Sequence, residues 1–97
     1  MAQFDVHRLG AGLVVDCQSE LLAHLNTRVV VPLLPRDEAP KPASRFNPIF
    51  EIEGGEFVMD TQFAGAVEKR RLGPVVASLE ERGFDIVDAF DILLTGV

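Results

Sequence analysis

Hydrophobic and polar residues alternate in short stretches along most of this chain, and glycine, proline or charged residues separate the stretches. Such a pattern predicts short β-strands joined by turns. The first two predicted strands cover residues 4–7 and 13–18, with a glycine-containing hairpin turn at 9–12. The strongest predicted strand covers residues 28–34. Pro32 lies within it and has no amide N–H, so we expect a sheet edge or a bulge there.

The middle of the chain predicts a second hairpin. Apolar stretches at 48–52 and 56–59 flank Gly54 and Gly55, which would supply the positive φ angles of the turn. Residues 35–48 hold four prolines between charged residues and predict an exposed loop. A further strand is predicted near 65–72. Residues 74–79 fit a strand or the approach to a helix, and residues 19–26 fit a helical turn or a loop.

The last part of the chain predicts an amphipathic helix over residues 84–94, with Asp85 and Asp88 in its first turn. Its apolar residues occupy two adjoining sides, formed by Ile86, Phe90 and Leu93 and by Val87, Leu94 and Val97. This arc is wider than packing on one sheet requires. The helix is therefore expected to use a second apolar surface, toward another copy of the chain or a foreign partner.

Together these elements predict one domain over residues 1–97 with a mainly β fold. Several short strands, one proline-rich loop and one terminal helix fit a small, partly closed β-barrel against which the helix packs. The chain has 97 residues, which leaves no room for a second core.

Charge narrows the class of partner. The net charge is −6 and the isoelectric point about 4.7, which disfavours a nucleic-acid substrate and favours a basic protein partner. The one basic run is Lys69, Arg70 and Arg71. Cys17 is the only cysteine, and no His/Cys spacing predicts a metal site, so neither a metal nor a cofactor is expected. The first residues lack the pattern of a signal peptide and no apolar run would span a membrane, which predicts a cytoplasmic protein.

A set of residues in order along the chain resembles the CcdB toxins of bacterial toxin–antitoxin modules. The resemblance covers essentially the whole chain. The stretches that carry it are residues 3–6 (Gln-Phe-Asp-Val), 15–22 (Val-Asp-Cys-Gln-Ser-Glu-Leu-Leu), 26–33 (Asn-Thr-Arg-Val-Val-Val-Pro-Leu), Asn47-Pro-Ile, Met59 with Thr61, Leu72-Gly with Val76 and Leu79, Asp85-Ile with Ala89, and Asp91 with Leu93, Gly96 and Val97.

The resemblance implies a five-stranded SH3-like barrel with a small extra sheet and a C-terminal helix, assembled as a homodimer. It also implies a toxin without enzymatic activity that binds the A subunit of DNA gyrase and traps the complex in which DNA is cut. A cognate CcdA-like antitoxin with a disordered tail would neutralise the toxin. Toxin and antitoxin together would bind operator DNA and repress their own operon.

Residues carried over from the family define two candidate sites and no catalytic one. The gyrase-binding candidates are Leu21, Leu22, Asp91, Leu94, Thr95, Gly96 and Val97. The antitoxin-binding candidates are Arg28, Lys69, Arg70 and Arg71. Two features depart from the family pattern: Thr95 stands where a Trp can occur, and the first hairpin is short.

Two alternatives remain at this point. Endoribonuclease toxins share this barrel, and His7, His24, Arg28 and Asp16 would be the corresponding acid–base set. The simpler interpretation is that both histidines lie at the surface or in a turn. The negative net charge also disfavours RNA as a substrate. The other alternative is a relic that no longer poisons gyrase and acts as an antitoxin-binding corepressor.

Overall fold

The computed structural model describes residues 2–96. The chain opens with a hairpin of β1 (Asp5–Leu9) and β2 (Gly12–Asp16), which pair from Val6–Val15 to Leu9–Gly12. Gly10 has a φ of +59° in the turn, a conformation that glycine adopts without steric cost. The predicted first hairpin is thus confirmed. A 3₁₀ helix at Glu20–Leu22 follows, inside the segment for which a helical turn or a loop was expected.

The next strand, β3 (Thr27–Pro35), pairs with β2 along one side and with two different strands along the other. Residues 27–30 pair with β6 (Gly65–Glu68), and residues 33–35 pair with β5 (Gly55–Met59). Pro32 lies between these two pairings, and its carbonyl accepts a hydrogen bond from the Asp60 amide. The missing N–H of Pro32 therefore falls where β3 changes partner.

The second hairpin joins β4 (Ile49–Ile52) to β5 and confirms the predicted strands. Its turn consists of Glu53 and Gly54, with φ angles of +51° and +82°. Placing the turn at Gly54 and Gly55 was therefore wrong by one residue. Gly55 pairs with Ile52 and belongs to β5, and two positive φ angles are what a two-residue type I′ turn requires.

The region after β5 differs in detail from the prediction. The strand expected over 65–72 ends at Glu68, because Lys69–Arg71 form a 3₁₀ helix. Residues 74–79 form a strand, β7 (Val75–Ser78). The Ser78 hydroxyl accepts a bond from the Glu80 amide within a short 3₁₀ turn, so Ser78 does not cap the final helix.

The final helix, α1 (Gly83–Thr95), extends one residue beyond the predicted range at each end. Asp85 lies in its first turn, whereas Asp88 lies beyond it. Over residues 2–96 the seven strands form one antiparallel sheet with the order β4-β5-β3-β2-β1-β7, and β6 pairs with the first half of β3. The sheet curls into a half-barrel, which confirms the predicted mainly β fold with one C-terminal helix.

Both faces of the β1–β2–β3 sheet are buried. One face packs against α1 and the second hairpin and forms the hydrophobic core, which contains Val6, Val15, Val31, Leu33, Phe50, Ile52, Met59, Ile86 and Ala89. The other face carries alternate residues of the same strands and is partly polar: His7, Val14, Asp16, Arg28 and Val30. A sheet that is buried on both sides reads as a continuous apolar run, which explains the strong pattern in β3.

Candidate binding surface beside the C-terminal helix

The start of α1 is fixed by a close contact with the amino-terminal segment. Gly83 is buried, and a Cβ at this position would lie 2.6 Å from Cε2 of the Phe4 ring. A side chain at this position would force the Phe4 ring or the first turn of α1 to shift, which favours glycine there. One turn further, Ile86 and Ala89 are fully buried against the sheet. The helix is therefore held at its first turn and along its inner face.

The end of α1 closes on a glycine cap. Gly96 has a φ of +79°, and its N–H donates to the Ile92 carbonyl at 2.9 Å. The Thr95 hydroxyl donates to the Asp91 carbonyl at 2.6 Å. The Thr95 hydroxyl is thus bound within the helix itself. Val97, the last of the predicted gyrase contacts, lies outside the described residues.

The outer side of α1 is apolar and open to solvent. Phe84, Val87 and Leu94 are 83%, 48% and 76% exposed. Val87, Asp91 and Leu94 are spaced four and seven residues apart, so they project from the same side of the helix. Large exposed apolar side chains grouped on one side are typical of interaction surfaces.

The Leu21–Leu22 pair is presented by the 3₁₀ helix at Glu20–Leu22. Leu21 is 87% exposed and Leu22 is 45% exposed. The Ser19 hydroxyl accepts a hydrogen bond from the Leu21 amide at 3.2 Å and caps the start of the turn. Ser19 therefore serves a local structural role in this turn.

An apolar groove of about 310 Å³ lies between Leu22 and α1, and Leu22 is the predicted gyrase contact within residues 2–96 that lines it. Leu22 lies on one wall, and Val87 and Phe90 of α1 lie on the other. The remaining lining residues are Phe4, Cys17, Gln18, Ser19, Val29 and Ile86. Leu94 lies one helical turn beyond Phe90 on the same flank of α1. Phe84 and Val87 were not among the predicted contacts, although their place in the wide apolar arc was visible in the sequence.

A buried polar network supports the Leu21–Leu22 segment from below. The Gln18 side chain donates to the Leu22 carbonyl at 2.9 Å and accepts from the Val29 amide at 3.1 Å. The backbone amide of Gln18 donates to a carboxylate oxygen of Asp16, and the other oxygen of Asp16 accepts from Arg28. Gln18 therefore ties the 3₁₀ turn to β3. Sequence reasoning missed this role, because a glutamine after a strand does not indicate burial.

Arg28 does not lie on the surface with the other basic residues, as its grouping with them had suggested. Its guanidinium forms an ion pair with Asp16 at 2.7 Å, and the two side chains are 1% and 0% exposed. A buried guanidinium is costly without a charged partner, and Asp16 is that partner. Arg28 thus supplies no exposed charge to an acidic partner in this fold.

The basic segment Lys69–Arg71 lies next to the loop that carries Leu21 and Leu22. Lys69 Nζ donates to the Ala23 carbonyl at 2.9 Å. Arg70 pairs with the carboxylate of Glu68 at 3.0 Å, and both side chains are mostly exposed. A groove of about 370 Å³ runs between Asn26, Glu68, Lys69 and Arg70. Lys69 and Arg70 are thus accessible but also make contacts within the chain.

The opposite flank of α1 carries a polar groove of about 440 Å³. There Arg45 holds Asp88 through two hydrogen bonds of 2.8 and 2.6 Å. These bonds from Arg45 lower the pKa of the Asp88 carboxyl below its ordinary value. The end of the proline-rich loop, which was predicted to be exposed, is therefore fastened to the helix.

The four residues of the alternative ribonuclease set do not form an exposed acid–base site. His7 is 2% exposed, and its Nδ1 lies 2.9 Å from the Gly73 carbonyl. Asp16 and Arg28 are engaged in the buried ion pair, whereas His24 is exposed on the loop before β3. The surface interpretation was thus wrong for His7 and is confirmed for His24. Of these four residues, only His24 would be accessible to a substrate in solution.

The environment of Cys17 fits its interpretation as a small apolar residue. Burial raises the pKa of its thiol to about 12, and the neighbouring Asp16 carboxylate acts in the same direction. The side chain lines the apolar groove and packs against the core. The thiol therefore stays protonated and contributes apolar surface at neutral pH.

The fold and this surface define a class: a small half-barrel domain with an exposed apolar face beside its C-terminal helix. The CcdB family model, described as CcdB protein, matches residues 3–96, and the chain belongs to this family. Membership supports a toxin of a toxin–antitoxin system, in a family that poisons gyrase rather than acting as an enzyme. A search of curated proteins finds no significant match. Among residues 2–96, no helix is long and apolar enough to cross a membrane.

Proposed function

We propose that this protein is a toxin that binds the A subunit of DNA gyrase and traps the gyrase–DNA complex in its cleaved state. The observation that carries the proposal is the groove shared by Leu22 and α1. Leu22, which the family resemblance assigns to gyrase, lines this groove together with residues of α1, the helix that carries the candidates Asp91, Leu94 and Thr95. We call Leu21, Leu22, Val87, Asp91, Leu94 and Thr95 the helix-side surface.

The chemistry of the helix-side surface suits a macromolecular partner. Leu21 and Leu94 are more than three-quarters exposed, so burying them would supply much of the binding free energy. Asp91 lies on the same side of α1 and would pair with a basic residue of the partner. The exposed apolar residues also suit a homodimer in which two such surfaces are presented together.

Neutralisation by an acidic antitoxin tail is the second part of the proposal. The exposed basic residues of the segment Lys69–Arg71 lie beside the Leu21–Leu22 loop, so a partner bound there would approach the helix-side surface. In the cytoplasm, toxin and antitoxin would together repress their operon by binding operator DNA. Arg28 is left out of this contact because its side chain is buried.

The direct test is a DNA cleavage assay with purified gyrase, supercoiled plasmid and this protein. We expect linear DNA to accumulate after denaturation of the trapped complex. Leu94→Asp should reduce trapping at least tenfold, since it places a charge in a desolvated contact. Val75→Asp is the matched control, because Val75 is 48% exposed but lies on β7 outside the helix-side surface.

Two outcomes would replace this proposal. No trapped cleavage at micromolar protein, with harmless expression in a cell that lacks antitoxin, would favour the corepressor relic. Cleavage of mRNA by the same preparation would favour the ribonuclease. Resistant colonies selected under toxin expression should carry changes in the gyrase A gene, and changes confined to other genes would contradict the proposed target.

A further inference from the structure

The segment that carries Leu21 and Leu22 hides very little apolar surface. None of the three residues of its 3₁₀ helix is buried, and Leu25 just after it is 39% exposed. Short 3₁₀ turns have weak internal hydrogen bonds and depend on their surroundings. Hydrophobic packing therefore does not account for the position of this segment, and polar contacts must.

Two side chains from outside the turn bind its carbonyl groups. Gln18 donates to the Leu22 carbonyl from the sheet side. Lys69 donates through Nζ to the Ala23 carbonyl, from a segment 46 residues further along the chain. The Lys69 amide also donates to the Asn26 carbonyl at 2.7 Å, so Lys69 contacts both the middle and the end of the loop.

We propose that Lys69 is a positioning residue: its ammonium group holds the Leu21–Leu22 segment in the conformation that its partner recognises. The consequence for binding rests on the proposed function, whereas the effect on the loop does not. A loop that is already ordered pays less conformational entropy when it binds. A bond from an ammonium group to a carbonyl is also stronger than a neutral one.

The test for the loop uses amide hydrogen exchange in the free protein. The reporting amides are those of Leu21, Leu22, Ala23 and Leu25, which donate to Ser19, Glu20 and Leu22. Lys69→Met keeps a flexible apolar stem and removes the donor, so exchange there should rise about three- to tenfold. Lys69→Arg should restore protection. Amides in β2 and β3 should be unchanged, which separates loop release from general destabilisation.

Lys41→Met is the matched control, because Lys41 is the other lysine of the chain and lies exposed in the proline-rich loop. Unchanged exchange in Lys69→Met would overturn the proposal. Affinity for the gyrase A subunit should fall about three- to tenfold in Lys69→Met, as expected for a lost preorganising contact. A fall in affinity without faster exchange would make Lys69 a direct contact and would also overturn it.

The hydrogen-exchange and affinity measurements together distinguish a failure of this inference from a failure of the proposed function. If the natural protein fails to bind gyrase but Lys69→Met releases the loop, the gyrase proposal fails and the positioning role stands. If the natural protein binds gyrase and Lys69→Met changes neither exchange nor affinity, the gyrase proposal stands and the positioning role fails.

Discussion

The guanidinium of Arg28 lies 2.7 Å from the carboxylate of Asp16, and both side chains are sealed inside the protein. Asp16 also accepts the amide of Gln18, whose side chain holds the Leu22 carbonyl. Two hydrogen bonds made by Gln18 thus link the buried ion pair to the exposed Leu21–Leu22 segment. The position of Leu22 therefore depends in part on buried residues.

Removing one member of this pair should be costly. Arg28→Met leaves the Asp16 carboxylate buried without its counter-charge, and we expect a loss of about 3–5 kcal/mol in the free energy of unfolding. Urea unfolding measures this. Arg36→Met is the control, because Arg36 pairs with Glu56 at 3.2 Å on the surface and should cost at most about 1 kcal/mol.

The double variant Asp16→Asn with Arg28→Met should recover part of the lost stability, since it leaves neither charge buried alone. If Arg28→Met were as mild as Arg36→Met, the burial of the ion pair between Arg28 and Asp16 would be contradicted.

A side chain at Gly83 should destabilise the protein. Gly83→Ala would place a methyl group 2.6 Å from the Phe4 ring, so either the ring or the first turn of α1 has to move. We expect a loss of about 1–3 kcal/mol, measured by thermal or urea unfolding, although alanine is the better helix former. Gly65→Ala is the control, since its nearest atom would be 4.0 Å away. A stabilising Gly83→Ala would contradict the contact.

The thiol of Cys17 should react more slowly in the folded protein than in the unfolded chain. Its pKa is about 12 in the folded protein against 9.0 for an unperturbed thiol, so the folded state holds the proton more tightly. The stabilisation is therefore complete below pH 9.0 and is lost as the pH rises from there toward about 12. Reaction with a thiol reagent at pH 8 should be slow in the native protein and fast in urea. Equal rates would contradict the burial.

A larger aromatic side chain in place of Thr95 should strengthen binding to the proposed target. Thr95→Trp places a large aromatic side chain at the exposed end of α1, where Trp commonly anchors an interface. If the proposed function is correct, trapping of cleaved gyrase complexes should occur at about tenfold lower protein concentration. Val75→Trp is the control for added surface hydrophobicity. No gain from Thr95→Trp would place the target contact elsewhere on the molecule.

The sequence predicts most of this fold because local patterns determine it. Alternation and turn residues locate both hairpins, and the helix is predicted to within one residue at each end. The burial of Arg28 was not predictable, because it depends on Asp16 twelve positions earlier and on a sheet covered on both sides. Likewise, the contact between Gly83 and the Phe4 ring joins residues 79 positions apart and leaves no local pattern.

For the candidate site, the family resemblance identified Leu22, and the fold added its neighbours on α1. The Lys69–Ala23 and Gln18–Leu22 contacts escaped prediction, since a hydrogen bond from a side chain to a backbone carbonyl leaves no periodic pattern in a sequence. Contacts of this kind are set by tertiary structure alone.

Pro32 has a consequence for how the sheet assembles. On the side of β3 away from β2, the strand offers no hydrogen to a neighbour at that residue, so neither β5 nor β6 gains a bond by sliding past it. A single proline therefore prevents the misalignment of two strands at once. It keeps β5 and β6 from pairing with the same backbone groups of β3.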